Sequence, residues 1–216
     1  MLFLDELPEF DRRVLEALRE PLETGRVSIS RAGLQAEYPA RFQLVAAMNP
    51  CPCGHLGDPA RACRCTPAQL ASYRGRISGP LLDRIDLRVA LQPVGAADIA
   101  QARATRGTSH RATADAGAAV IAARARQRAR CGRLNADLDA AALECWARPA
   151  AAAEAVLGAV RQRLGLSLRS LHRTLRVART IADLAASDTI EAAHVAEAIQ
   201  LRRALDTGGE GAEPAG

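Results

Sequence analysis

The sequence predicts an α/β segment of parallel strands and helices followed by an all-α segment. Three observations carry this. Residues 1–4 are wholly apolar and run into Asp5 and Glu6, the pattern of a buried parallel strand that delivers acids at its carboxyl end. Residues 43–48 form a second apolar run, which ends at the polar Asn49. From about Asp115 onward the spacing is helical almost throughout, with breaks near Gly132, Pro149, Gly165 and Asp188.

Taken in order, the first strand is followed by a helix over 11–24, where Val14, Leu15, Leu18 and Leu22 recur at helical spacing and Gly25 supplies a stop. Pro21 is placed to kink its last turn. Residues 26–30 alternate like a strand, Gly33 sits in a turn, and 36–42 return as the second arm of a hairpin. Residues 67–73 read as a helix capped by Thr66, and 81–84 as a helical turn leading into a strand over 87–91. Pro93 and Gly95 mark a boundary.

The best-defined helix starts at Ser167, with Leu168, Leu171, Leu175, Ala178 and Ala182 on one face and Arg169, Arg173 and Arg176 on another. Periodicity alone reads that arginine stripe as solvated. Arg124, Arg126, Arg128 and Arg130 alternate by two, spread around a helix axis, and are read as mostly solvated too. Thr189 and Glu191 announce a last helix packed through Val195, Ala198 and Ile199. The expected organisation is a partial α/β core over 1–94, a linker over 95–112, a helical domain over 113–205 and a disordered tail over 206–216.

The 216 residues are 49% hydrophobic and 25% charged, enough apolar material for a core. All 29 basic residues are arginine, and alanine makes up about a fifth of the chain, a pairing consistent with a GC-rich coding sequence. With no lysine, Schiff-base chemistry and the phosphate-gripping lysine of a complete P-loop are excluded within these residues. A net charge of +5 and a pI near 9.2 favour anionic partners. Three Phe, two Tyr and one Trp offer little for base stacking, so a nucleic-acid contact would be made mainly to phosphates. No apolar run approaches the roughly 18–20 residues that cross a bilayer, and no secretion signal is seen, so a cytoplasmic location is expected.

Two groups of residues carry chemistry. Adjacent acids at a strand end suit nucleotide hydrolysis: Asp5 to hold the water shell of Mg2+, Glu6 to orient the attacking water. Asn49, at the end of the second strand, can present its carboxamide to that water or to a terminal phosphate. The other group is Cys51, Cys53, Cys63 and Cys65, two Cys-x-Cys pairs with the ligand count of a closed zinc site and with His55 able to replace one ligand. An iron–sulfur cluster, unligated thiols and redox-active pairs are the alternatives. Cys131 and Cys145 are isolated and read as inert.

Three stretches then make a resemblance specific: Met1-Leu-Phe-Leu-Asp-Glu-Leu-Pro-Glu-Phe10, Tyr38-Pro-Ala-Arg-Phe-Gln-Leu-Val-Ala-Ala-Met-Asn-Pro-Cys-Pro-Cys-Gly54, and Gly75-Arg-Ile-Ser-Gly-Pro-Leu-Leu-Asp-Arg-Ile-Asp-Leu87. Downstream, Leu168-Arg-Ser-Leu-His-Arg-Thr-Leu-Arg-Val-Ala-Arg-Thr-Ile-Ala-Asp-Leu184 resembles a lid helix. From residue 1 to about 205 the chain resembles the magnesium-chelatase-like AAA+ ATPases of the YifB/ComM family. The resemblance implies the C-terminal part of an AAA+ P-loop NTPase core followed by an all-α lid. It implies that Asp5 and Glu6 are the Walker B acids and Asn49 the sensor-1 residue. It likewise makes Arg84 the arginine finger, a guanidinium being able to bind phosphate oxygens through two donors. An ion pair of Arg84 with Asp83 or Asp86 is the plainer alternative. Arg169 matches the sensor-2 arginine, with Arg173 the second choice.

The implied cofactors are ATP and Mg2+, the implied assembly a homo-oligomeric ring, a hexamer, and the implied work remodelling or branch migration of DNA. Porphyrin chemistry is not implied. Residues 26–41 fall where such ATPases carry a hairpin, and Arg31 near its tip is placed to touch a nucleic-acid backbone, with an ordinary surface hairpin as the alternative. The family resembles a longer chain, with a Lon-protease-like domain and a Gly-rich Walker A loop ahead of Walker B. The present residues begin at Walker B, so the expectation is that alone they neither bind ATP tightly nor hydrolyse it, and that an apolar sheet edge is exposed. The contrasting reading is a non-enzymatic, zinc-stabilised module that binds nucleic acid or protein.

Overall fold

A computed structural model describes residues 1–203 except Ala32, Pro93 and 105–108. It divides into two units, Met1–Ile85 and Asp86–Gly216.

The first unit runs β1 (Leu2–Leu4), a 3-10 turn (Leu7–Glu9), α1 (Arg12–Ala17), α2 (Arg19–Thr24), β2 (Arg26–Arg31), β3 (Leu34–Pro39), β4 (Leu44–Ala46), α3 (Pro67–Gly75) and α4 (Gly79–Leu82). β1 and β4 pair in parallel with Leu2 opposite Leu44, Phe3 opposite Val45 and Leu4 opposite Ala46. Beyond the strands the pairing continues, Ala47 N–H donating to Leu4 O and Leu7 N–H to Ala47 O, both at 2.9 Å. The apolar stretches expected at 1–4 and 43–48 thus lie side by side. Beneath them Leu7, Leu15, Ile77 and Leu81 form a core, joined by Leu4, Leu18, Leu22, Met48 and Leu82. Phe3 is 60% exposed on this two-stranded sheet.

The single helix expected over 11–24 is two helices divided at Leu18. Asp11 caps α1 by accepting from Arg13 N–H at 2.7 Å. The division follows from Pro21, which has no N–H to give the Ala17 carbonyl, so the ladder stops and restarts with the proline in the first turn of α2, where it is tolerated. Gly25 closes α2 at φ +70, and a Cβ there would come within 2.7 Å of the Arg41 Cγ. β2 and β3 form the hairpin in antiparallel register from Arg26 opposite Pro39 to Arg31 opposite Leu34, so its second arm starts two residues earlier than expected. Arg31 is exposed near the turn.

The second unit is helical: α5 (Ala96–Ala104), α6 (Ser109–Cys131), a 3-10 turn (Asn135–Asp137), α7 (Ala140–Trp146), α8 (Ala151–Leu164), α9 (Leu168–Leu184) and α10 (Ala192–Arg203). Its core gathers Leu138, Leu143, Ala147, Ala153, Leu157, Ala178, Ala182, Ile190, Val195 and Ala198. Ser167 caps α9 by accepting from Ser170 N–H. A parallel bridge joins Pro149 to Ile190 ahead of α8 and α10.

The strand expected over 87–91 is absent. Leu87, Val89 and Leu91 do alternate, but they are 54%, 63% and 88% exposed, and Arg88 N–H donates to the Leu201 carbonyl at 2.6 Å. A strand needs a neighbouring strand, and among the described residues none lies beside it. The described part of 95–112, expected as a linker, carries α5 and the start of α6. The tail expected over 206–216 lies outside the described residues.

Candidate functional site

Parallel pairing of β1 with β4 brings the residues that follow them to one sheet edge. Asp5 and Glu6 leave the end of β1, Asn49 follows β4, and all three are exposed there. Asp5 accepts the Glu6 N–H on its Oδ1 at 2.9 Å, which turns the chain sharply. Glu6 sits at φ 50 and ψ 47, the left-handed region that a non-glycine residue rarely occupies. The two carboxylates therefore have different aims, and the strain is held by the buried Leu7 and Pro8 that follow.

Directly beyond Asn49 lies the thiolate cluster. Cys51 is wholly buried, and its Sγ is 3.4 Å from that of Cys53 and 3.7 Å from that of Cys63, with Cys53 and Cys63 3.6 Å apart. With Cys65, all four sulfurs fall within 4.8 Å of one another. A tetrahedron with metal–sulfur bonds of about 2.3 Å has edges of about 3.8 Å, so the donor set fits a tetrahedral thiophilic ion. The Arg64 and His55 amides hydrogen-bond to the Cys53 sulfur and draw its pKa down to about 6, while burial pushes Cys65 up to about 12. His55 instead faces Asp58, its Nδ1 3.5 Å from Oδ2. The loop returns at Thr66, which with Gln69 makes a reciprocal capping box opening α3. Tyr73 on α3 is 5% exposed. Burial raises the Tyr73 phenol above its ordinary value, with the Glu9 charge adding to it.

Arg84 lies in the same unit, its guanidinium held on several sides. Nε donates to the Arg19 carbonyl at 3.2 Å, Nη1 to the Pro80 carbonyl at 2.7 Å, and Nη2 meets the Glu23 carboxylate. The acid here is Glu23, 61 residues away, where sequence proximity pointed to Asp83 or Asp86.

In the second unit α9 carries Arg169 and Arg173 one turn apart. Arg169 is exposed at the first turn. Arg173 is bound to Asp86 through Nε at 2.6 Å and Nη2 at 3.2 Å, and Arg202 reaches the same carboxylate at 3.0 Å. Arg176 donates twice to the Leu138 carbonyl, at 2.9 and 2.7 Å. The stripe that periodicity read as solvated is thus largely structural. Arg130, also read as solvated, is corrected in the same way: it pairs with Asp183, whose side chain is fully buried, while Arg126 donates to the Asp183 carbonyl. The i, i+2 spacing around α6 gave no hint of that acid, which lies on another helix.

Sequence reasoning missed Glu23 and the role of Asp86 as the anchor of two arginines. Their partners are 61 or more residues distant in the chain, beyond the reach of any local pattern. No helix among the described residues is long and apolar enough to cross a membrane.

The family described as magnesium chelatase, subunit ChlI, matches residues 1–99, and its C-terminal counterpart matches residues 110–202. The chain is 44% identical over 204 residues to the uncharacterized protein YifB of Salmonella typhimurium, taking in 94% of this chain and 39% of that protein. It is 44% identical over 205 residues to the competence protein ComM of Haemophilus influenzae, with 94% and 38% covered, and 45% identical over 202 residues to YifB of Escherichia coli, with 94% and 39% covered. It thus spans about two fifths of the length of the curated relatives it matches. With parallel strands and helices in one unit, an all-α second unit and both matches in chain order, the chain belongs to the magnesium-chelatase family, in the YifB/ComM branch of AAA+ proteins.

Proposed function

We propose that this chain supplies the Walker B, sensor-1 and lid portion of a magnesium-dependent ATPase that works in the cytoplasm as a homo-oligomeric ring, a hexamer, and remodels DNA. The observation that carries the reading is the placement of Asp5, Glu6 and Asn49 at one edge of two paired parallel strands. Asp5 holds the hydrated Mg2+, Glu6 orients the attacking water and Asn49 positions that water or the terminal phosphate. Arg84 is the arginine finger toward the neighbouring subunit's ATP, exchanging Glu23 for phosphate oxygens of the same charge. Arg169 is the lid arginine, with Arg173, which binds Asp86, the second choice. Arg31 on the exposed hairpin is the candidate contact to a DNA backbone. Cys51, Cys53, Cys63 and Cys65 hold a structural Zn2+, four protein ligands leaving no open coordination position.

The test places this chain in a longer frame, replacing the matching 39% of Escherichia coli YifB with these residues. The graft is expected to hydrolyse ATP with Mg2+, and Glu6→Gln to lower turnover at least a hundredfold while ATP still binds. The isolated 216 residues, which include no lysine, are expected to show no turnover. Unaltered hydrolysis by the Glu6→Gln graft would sink the assignment. DNA binding by the isolated chain that depends on salt and not on ATP would favour a nucleic-acid-binding module instead.

A further inference from the structure

We propose that the metal held by Cys51, Cys53, Cys63 and Cys65 ties the segment leaving β4 to the start of α3 and so fixes the backbone at Asn49, two residues before Cys51. The function of Asn49 as a nucleotide sensor rests on the reading above; the coupling of its backbone to the metal does not.

The loop from the end of β4 to the start of α3 is long and contains no regular secondary structure. Its internal backbone bonds make two short turns, Gly54 N–H to Cys51 O at 3.0 Å and Asp58 N–H to His55 O at 3.1 Å. Loops of this length without structure of their own need a cross-link or a partner to hold one conformation. Cys51 is the wholly buried thiol in it, two residues after Asn49, while Cys53, Cys63 and Cys65 are half-buried. The links run in order: β4 leads to Asn49, then to Cys51 and Cys53; the ion joins them to Cys63 and Cys65; and Thr66, next to Cys65, caps α3. The ion is the one link in that order the chain does not itself supply. Four thiolates in a tetrahedral arrangement select a borderline-soft divalent ion of the zinc class.

The experiment uses the full 216-residue chain, purified without oxygen. One zinc per chain is expected. Amide hydrogen exchange is then compared between the zinc-loaded chain, the chain stripped with a chelator, and the stripped chain given zinc again. Stripping should speed exchange at least tenfold in peptides spanning residues 44–54 and 67–75, leave α9 unchanged, and be reversed by zinc. Less than stoichiometric zinc, iron in its place, unchanged exchange at 44–54 after stripping, or an equal gain across residues 1–85 would each overturn the proposal. Failure of Asn49→Ala to impair hydrolysis in the YifB graft would instead count against the sensor assignment and leave the metal coupling standing.

Discussion

Arg173 and Asp86 face each other fork to fork, Nε on Oδ1 at 2.6 Å and Nη2 on Oδ2 at 3.2 Å, with Arg202 reaching the same carboxylate from α10. The two arginines are 12% and 8% exposed and Asp86 is 46% exposed, so solvent screens the acid but little of its partners. Asp86→Ala should therefore destabilise the helical unit by about 1–3 kcal/mol, below the cost of breaking a fully buried pair. Urea unfolding followed by far-ultraviolet circular dichroism checks this.

A larger loss is expected at Asp183. Its buried side chain accepts from Arg179 at 3.0 Å and from Asn135 Nδ2 at 2.7 Å, and it pairs with Arg130. Asp183→Asn leaves two guanidinium groups short of a countercharge and should cost about 3–5 kcal/mol. Burial lowers the Arg179 pKa, and the Asp183 charge works against that shift. A loss under 1 kcal/mol in the same urea assay would refute this.

Glu6 and Ala186 share a left-handed backbone, at φ 50 and φ 56. Replacing either by glycine should raise stability by about 0.5–1 kcal/mol, the relieved strain of about 1–2 kcal/mol being partly offset by the added freedom of the unfolded chain. The two should part in the YifB graft, where Glu6→Gly abolishes ATP hydrolysis and Ala186→Gly leaves it intact. Thermal unfolding combined with a phosphate-release assay separates the outcomes.

Acid stability offers another test. The Ser78 hydroxyl and Arg19 both bond the Glu16 carboxylate and hold its pKa below the ordinary value of 4.5. A depressed carboxylate contributes stability above its unfolded pKa and loses it as pH falls through the folded value. Glu16→Gln should therefore be the less stable protein at neutral pH, with the difference vanishing on acidification below that folded value. Unfolding midpoints measured across that range check the sign.

What was legible in the sequence was local. Thr66 and Ser167 announced their helices because capping is decided within three residues. The two apolar strands and the polar residues after them were equally plain, since a parallel strand states its burial in its own composition. The paired cysteines pointed by spacing to a cluster, and their four sulfurs do lie within 4.8 Å of one another. Pairings between distant residues were not legible. Arg84 binds Glu23, 61 residues away, and Arg130 an acid on α9, because such partners are set by packing. The strand expected over 87–91 failed for a related reason: its alternation was real, but alternation is only half of a strand.

The register of Leu2 with Leu44 also sets an order of events in folding. β4 reaches β1 only after some forty residues more have been joined, and closing a loop of that size must precede any gain from this pairing. The β2–β3 hairpin inside that loop closes over neighbours close in sequence and can form first. The pairing that sets the acids after β1 beside Asn49 thus comes after the hairpin it encloses.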